Sequence, residues 1–182
     1  MMAGWLKDMT FAGNDSWALV LVLHVATTLL MVGLIWLVQV VHYPLFAQVG
    51  DSGFSAYHKR HTHRITIIVA PLMLLELATG LLLWFKMPLH PVWIFNTMAL
   101  AVIWGSTALW QMPLHKRQPL VDGAARRALV RKLVTSNWLR TVFWSLRGLL
   151  LVGVLLNCTR KVEIGQSHQN QLQFDRAIES EK

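Results

Sequence analysis

The chain has 182 residues, 54% of them hydrophobic and only 14% charged, with nine Trp and a formal net charge of +8. That is too apolar and too aromatic for an ordinary soluble domain of this length, and it points to membrane insertion. The single cysteine, Cys158, excludes an internal disulfide and a thiolate metal cluster.

Residues 1–16 read as a polar lead-in with Lys7, Asp8 and Asp15. They hold no apolar core ending in a small-residue cleavage site, so no cleavable signal peptide is expected, and Asn14, Asp15 or Ser16 would cap the first helix. Four runs are long enough for the roughly 20 helical residues that a bilayer core demands: 17–41, 65–85, 92–112 and 138–156. The first carries His24, Thr28, Trp36 and Gln39 down to His42 and is expected to end at Tyr43-Pro44, because a residue before proline is biased away from helix. Gly50 to Gly53 reads as a turn, with Ser52 a cap for a second helix that starts near Phe54 and is kinked at Pro71. After a tight turn at residues 86–91, the third span is expected to stop at Pro113.

Within 124–134, Arg126, Arg127, Arg131 and Lys132 flank Leu129, Val130 and Val134, which reads either as a helix lying at the interface or as a solvated connecting helix. Asn137, Trp138 and Arg140 open the fourth span, which carries Arg147 at mid-depth. The polar tail, 158–182, is expected to be poorly ordered. The fold class is therefore an all-α, polytopic membrane protein: a four-transmembrane-helix bundle over residues 17–157.

Charge placement orients it. Lys59, Arg60 and Arg64 lie between the first two runs, and Lys116, Arg117, Arg126, Arg127, Arg131 and Lys132 between the last two. By the positive-inside bias both loops are cytoplasmic and both termini outside, in a bacterial-type inner (plasma) membrane. The basic loops then serve topology and anionic headgroups, with no nucleic acid as partner. Trp17, Trp84 and Trp93 would form the outer aromatic belt, and Trp36, Trp110 and Trp138 the inner one. Trp36, Gln39 and Pro44-Leu45 are echoed by Trp110-Gln111 and Pro113-Leu114, as duplication of a helical hairpin would leave them; chance in a leucine-rich sequence would too.

Ionisable side chains at membrane depth are costly and mark candidate sites. His24 and His42 are 18 residues apart, five helical turns, as are His58 and Glu76. Antiparallel packing then sets His24 opposite Glu76 and His42 opposite His58. The inner site gathers His42, His58, His61 and His115 as candidate metal ligands, with His58 and His61 at i and i+3 on one helix face. Imidazoles suit iron, copper or the axial positions of a haem; the bland reading is a basic loop that binds nothing. The outer-half site holds His24, Thr28, Glu76 and Arg147, in which Glu76 and Arg147 are expected to pair. Glu76, Arg140, Arg147, Gln39 and Asn137 are the candidate substrate-binding groups, since arginine at depth suits an anionic head group or a quinone carbonyl. No acid, base or nucleophile is placed well enough to assign a catalytic residue.

The segments Met112-Pro113-Leu114-His115 and Asn137-Trp138-Leu139-Arg140-Thr141, joined by a basic amphipathic stretch, resemble the end of the third helix and the start of the fourth in small four-helix membrane proteins related to fungal anthrone oxygenases. The likeness runs over about Leu21 to Leu156 and rests on the Asn-x-x-Arg-Thr element, here Asn137, Arg140 and Thr141. A looser likeness, through His24, Arg64 and Pro71, is to the four-helix, haem-binding protoporphyrinogen oxidases. Both imply membrane redox chemistry on a lipophilic quinone or aromatic substrate. The expected function is thus a membrane oxidoreductase or oxygenase using a histidine-bound metal or haem. The alternative is a non-enzymatic transporter, metal-handling or membrane assembly protein, which as a transporter would need a homo-oligomer.

Overall fold

A computed structural model of the chain describes residues 15–180; the polar lead-in with Lys7, Asp8 and the capping candidate Asn14 lies outside the described residues. The described chain is helical throughout, apart from short turns. Helix α1 (Asp15–Leu37) passes through a π-helical turn (Val38–His42), the short α2 (Tyr43–Leu45) and a 3-10 turn (Phe46–Gln48). Helix α3 (Asp51–Lys86) returns, α4 (Pro91–Ser106) continues through a second π-helical turn (Thr107–Gln111), α5 (Met112–Arg117) and a 3-10 turn (Gln118–Leu120), and α6 (Gly123–Ser180) closes the bundle. All four resulting units are long and apolar enough to cross a membrane. Large side chains that a soluble protein would bury, such as Phe85 (74% exposed) and Leu149 (73%), face outward, as they do where lipid is the solvent. We call the end of the bundle that carries Lys59, Arg60, Arg64, Lys116 and Arg117 the basic end.

The prolines do not stop the helices. Pro44 and Pro113 each lack an N–H and would clash with a carbonyl one turn back. Each is preceded by a π-helical turn, which opens the ladder by one residue and lets the helix continue to Gln48 and Leu120 rather than ending at Tyr43 and Pro113. The same device at two equivalent places gives the Trp–Gln–Pro–Leu echo a structural counterpart. Pro71 is accommodated inside α3.

Two further expectations change, at the start of α3 and in the tail, and the loop before the fourth span gains its structure. Gly50, not Ser52, is the N-cap of α3, and Asp51 is engaged across the bundle by Gly123 N (3.2 Å) and by the guanidinium of Arg126. Gly123 holds φ +54°, a left-handed backbone that glycine adopts without strain. Residues 124–134 are the first turns of α6, with Val130, Leu133 and Arg126 buried, the last lying 4.2 Å over the Phe54 ring, and with Arg127, Arg131 and Lys132 exposed. The tail after Cys158 stays helical to Ser180. It contains no proline, and Gln171 and Asp175 bond at i,i+4 (3.4 Å).

Two apolar clusters fill the interior. One, toward the basic end, is built on Met31, Ile35, Phe46, Phe54, Met73, Leu133 and Trp144. The other, toward the opposite end, is built on Leu21, Val25, Leu83, Trp93 and Leu151. Trp93, expected in an interfacial belt, is fully buried edge-on to His24, whereas Trp36 and Trp138 pair edge-to-face at 5.6 Å on the exposed surface.

Candidate functional site

Between the apolar clusters lies a layer of polar side chains with no exposure at all. Arg147 Nη1 lies 2.7 Å from Glu76 Oε1, both residues fully buried. Trp144 Nε1 donates to both Glu76 oxygens (3.2 and 3.1 Å), and Arg147 Nε donates to Asn96 Oδ1 (3.0 Å). Because guanidinium only donates, Asn96 Oδ1 is spoken for and its amide nitrogen faces His24 Nε2 (3.2 Å) as donor. His24 then carries its hydrogen on Nδ1 and gives it to Thr79 Oγ1 (2.9 Å), whose hydroxyl bonds the Leu75 carbonyl (2.7 Å). Both ring nitrogens of His24 are thereby occupied, with Asn96 Oδ1 also 3.4 Å from Nε2, as in a braced core histidine. Sequence reasoning missed Asn96 and Thr79, whose small polar side chains give no signal until a partner helix is known.

The register between α1 and α3 differs from the one read off matching spacings. His24 bonds the Thr79 hydroxyl and the Glu76 backbone rather than the Glu76 carboxylate, and the His42 ring meets His61 (ring centroids 5.4 Å apart) rather than His58. Both contacts are offset by three residues, nearly one turn. At one end the offset follows from the close approach at Gly80, where a Cβ would come within 3.0 Å of His24 Cε1. At the other it follows from Phe46, fully buried, whose ring occupies the space beside His58 (5.8 Å), His61 (5.0 Å) and His115 (6.1 Å).

Phe46 divides the four inner histidines into two pairs. On one side, His58 Nε2 and His115 Nδ1 lie 3.2 Å apart, and His115 Nε2 lies 3.0 Å from the Tyr43 hydroxyl. Arg140 bonds the same hydroxyl, donates from Nη1 to Asn137 Oδ1 (3.1 Å) and lies 5.0 Å over the Trp144 ring. As the donor-only end, Arg140 orients the chain: the phenol hydrogen points to His115 Nε2, and His115 Nδ1–H points to His58. Gln39 accepts from Asn137 (2.8 Å) and Thr141 (3.3 Å) and donates to the Val134 carbonyl (3.1 Å). Gln39 and Asn137 are therefore braces for Arg140, their polar atoms turned to neighbours rather than to open space. Arg140, 6% exposed, has no carboxylate against it among the described residues.

On the other side of Phe46, His42 and His61 open into a cleft of about 500 Å³ lined also by Tyr57, Arg60, Arg64, Ile65 and Ile68. Tyr57 stacks on His61 at 6.1 Å. His63 is exposed and outside the cleft. Among the described residues, no three His, Cys, Asp or Glu side chains converge as ligands of one metal ion. The four imidazoles expected to hold iron, copper or haem are gathered at one end of the bundle, but as paired here, with Phe46 between them, they do not form that ligand set.

Fold and site together define a class: a multi-pass, four-helix membrane protein with one braced polar layer in its interior and one histidine- and arginine-rich cleft at its basic end. Compared with protein-family models, with curated proteins and with solved structures, the chain matches none.

Proposed function

We propose that the protein is an oxidoreductase of the plasma membrane, its basic end cytoplasmic, acting on a lipophilic quinol or hydroxylated aromatic bound at the basic end. One observation carries this reading. The relay Arg140–Tyr43–His115–His58 is a one-directional line of imidazole and phenol groups ending on a guanidinium without a counter-ion, next to a cleft with an apolar floor. In the direction drawn the line gives up a proton at its His58 end, each hydrogen shifting one place toward His58 so that Tyr43 is left as a phenolate held by Arg140; in that form His58 takes a proton from an acidic O–H. The electrons of the deprotonated substrate then pass to an oxidant, dioxygen or a second quinone, and the proton taken up returns the line to its neutral form. The likeness of Asn137, Arg140 and Thr141 to the anthrone-oxygenase type of four-helix protein supports the same chemistry; no three donors converge on one point among the described residues, so no step is routed through a metal or haem.

The test is oxidation of a short-chain quinol and of a hydroxyanthracene by purified protein in lipid nanodiscs, beside His115→Ala and Tyr43→Phe. Turnover that falls at least about tenfold in both variants, the scale of a lost general acid–base group, is the expected result. Absence of both turnover and binding in the wild type overturns the reading. Absorption spectra and elemental analysis of the same samples test the metal independently.

The transport or assembly alternative draws on the buried Glu76–Arg147–Asn96–His24 layer. Each of its side chains is already held by neighbours on other helices, which favours a static brace over a carrier.

A further inference from the structure

The cleft at the basic end contains more charge than the proposed quinol chemistry needs. Arg60 and Arg64 stand at i and i+4 on one face of α3, with His61 between them in sequence and His42 across from α1. Residues at that spacing are neighbours on a helix surface, so two guanidiniums and two imidazoles border one opening. No carboxylate lines it. The acidic residues nearest in the fold, Asp51 and Asp122, are both engaged by Arg126. Neither Arg60 nor Arg64 makes an ion pair or a hydrogen bond with a described residue. Along α3 the lining is Ala56 and Tyr57 on the N-terminal side of the arginines and Ile65 and Ile68 on the other, where the long apolar run of the helix begins.

We infer that this cleft is a binding site for a single-bodied lipophile with an anionic head, a carboxylate or a phosphate monoester, held by Arg60 and Arg64 with its apolar body along Ile65 and Ile68. Guanidinium pairs bind such heads by parallel, charge-assisted hydrogen bonds. The volume, about 500 Å³, falls within the roughly 300–1,000 Å³ of small-molecule sites. That fits one aromatic body or one short alkyl chain. The inference deepens the oxidoreductase reading, by naming the head group that its substrate would present, but the binding itself stands without any turnover.

The experiment uses the full chain in nanodiscs of zwitterionic phosphatidylcholine, with binding followed by tryptophan fluorescence. The probes are dodecyl phosphate, dodecanoate, dodecanol and inorganic phosphate. Dodecyl phosphate and dodecanoate are expected to bind at least about tenfold more tightly than dodecanol, and Arg60→Gln/Arg64→Gln to remove that advantage, as loss of two charge-assisted contacts would. Lys116→Gln/Arg117→Gln, at the same end but outside the cleft, is expected to leave it intact and also guards against a general effect of surface charge.

Equal loss in both double variants overturns the site. Inorganic phosphate binding as tightly as dodecyl phosphate overturns the lipophile. Displacement of the probe by phosphatidylglycerol in the nanodisc overturns it in favour of annular lipid. Binding of dodecyl phosphate without oxidation of any quinol leaves this site standing and removes the oxidoreductase reading alone. Oxidation of a quinol without binding of either anion does the reverse.

Discussion

Removing one partner of the buried ion pair should cost more than removing both. Glu76 and Arg147 are fully buried, with 2.7 Å between Glu76 Oε1 and Arg147 Nη1. Charges about 4 Å apart at an effective dielectric near 20 attract by about 4 kcal/mol. Glu76→Leu forfeits that attraction, strands a guanidinium in an apolar interior and takes the acceptor from Trp144 Nε1. A loss of about 3–5 kcal/mol is expected for the single change. Glu76→Leu/Arg147→Met removes both charges and replaces them with apolar volume, so it should recover at least about 2 kcal/mol of the sum of the two single losses. The assay is reversible unfolding in mixed micelles by increasing dodecyl sulfate, monitored by tryptophan fluorescence, on the four proteins of the cycle. Additive single losses, with coupling below about 0.5 kcal/mol, would refute the argument: the pair would then be an incidental contact whose partners are satisfied equally well apart.

Four further outcomes follow from the packing. Gly80→Ala places a Cβ 3.0 Å from His24 Cε1, a ring held by bonds at both nitrogens, so the same unfolding assay should show a loss of about 1–3 kcal/mol; Gly33→Ala, with nothing within 4 Å, should be neutral or stabilise by up to about 1 kcal/mol. Phe46→Ala should cost about 3–5 kcal/mol and, by opening the space between the histidine pairs, gain one zinc per chain by elemental analysis after zinc exposure. Arg126→Ala loses the contacts to Asp51, Asp122 and Phe54; a cost of about 1–3 kcal/mol should appear as faster cleavage at residues 49–50 and 121–122 in limited proteolysis. Tyr43→Phe keeps the ring and removes the hydroxyl between Arg140 and His115, so stability should fall by about 1–3 kcal/mol while probe binding at the cleft is unchanged.

The four membrane-crossing helices were legible because apolar length is a one-dimensional property: the runs at 17–41, 65–85, 92–112 and 138–156 each lie inside an observed helix. The Glu76–Arg147 contact was legible for a related reason, since two opposite charges in one apolar bundle have few other partners. Registry was not. Equal spacing of His24/His42 and His58/Glu76 fixed which residues share a face but not how far one helix slides along the other; that is decided by Gly80 and by Phe46, an absent side chain and an apolar ring that carry no signal until the facing helix is in place. Nor was the direction of the hydrogen bonds legible, because it depends on Asn96 and Thr79 arriving from different helices. Arg126 looked like a surface cation, as one basic residue among four does, until Asp51 and the Phe54 face came to meet it.

The two π-helical turns carry a consequence for how this chain tolerates change in length. Each turn adds one residue to the winding, so everything downstream is rotated by about 100° relative to an unbroken α-helix. After Val38–His42 that rotation faces Tyr43 and Phe46 into the core, and after Thr107–Gln111 it presents His115 to Tyr43. Loss of a single codon within either turn would leave the span long enough to cross the bilayer and the composition unchanged. It would also turn the relay away from the arginine that orients it, so that at these ten positions the reading frame of the helix, as well as the identity of side chains such as Gln39 and His42, is what selection would have to protect.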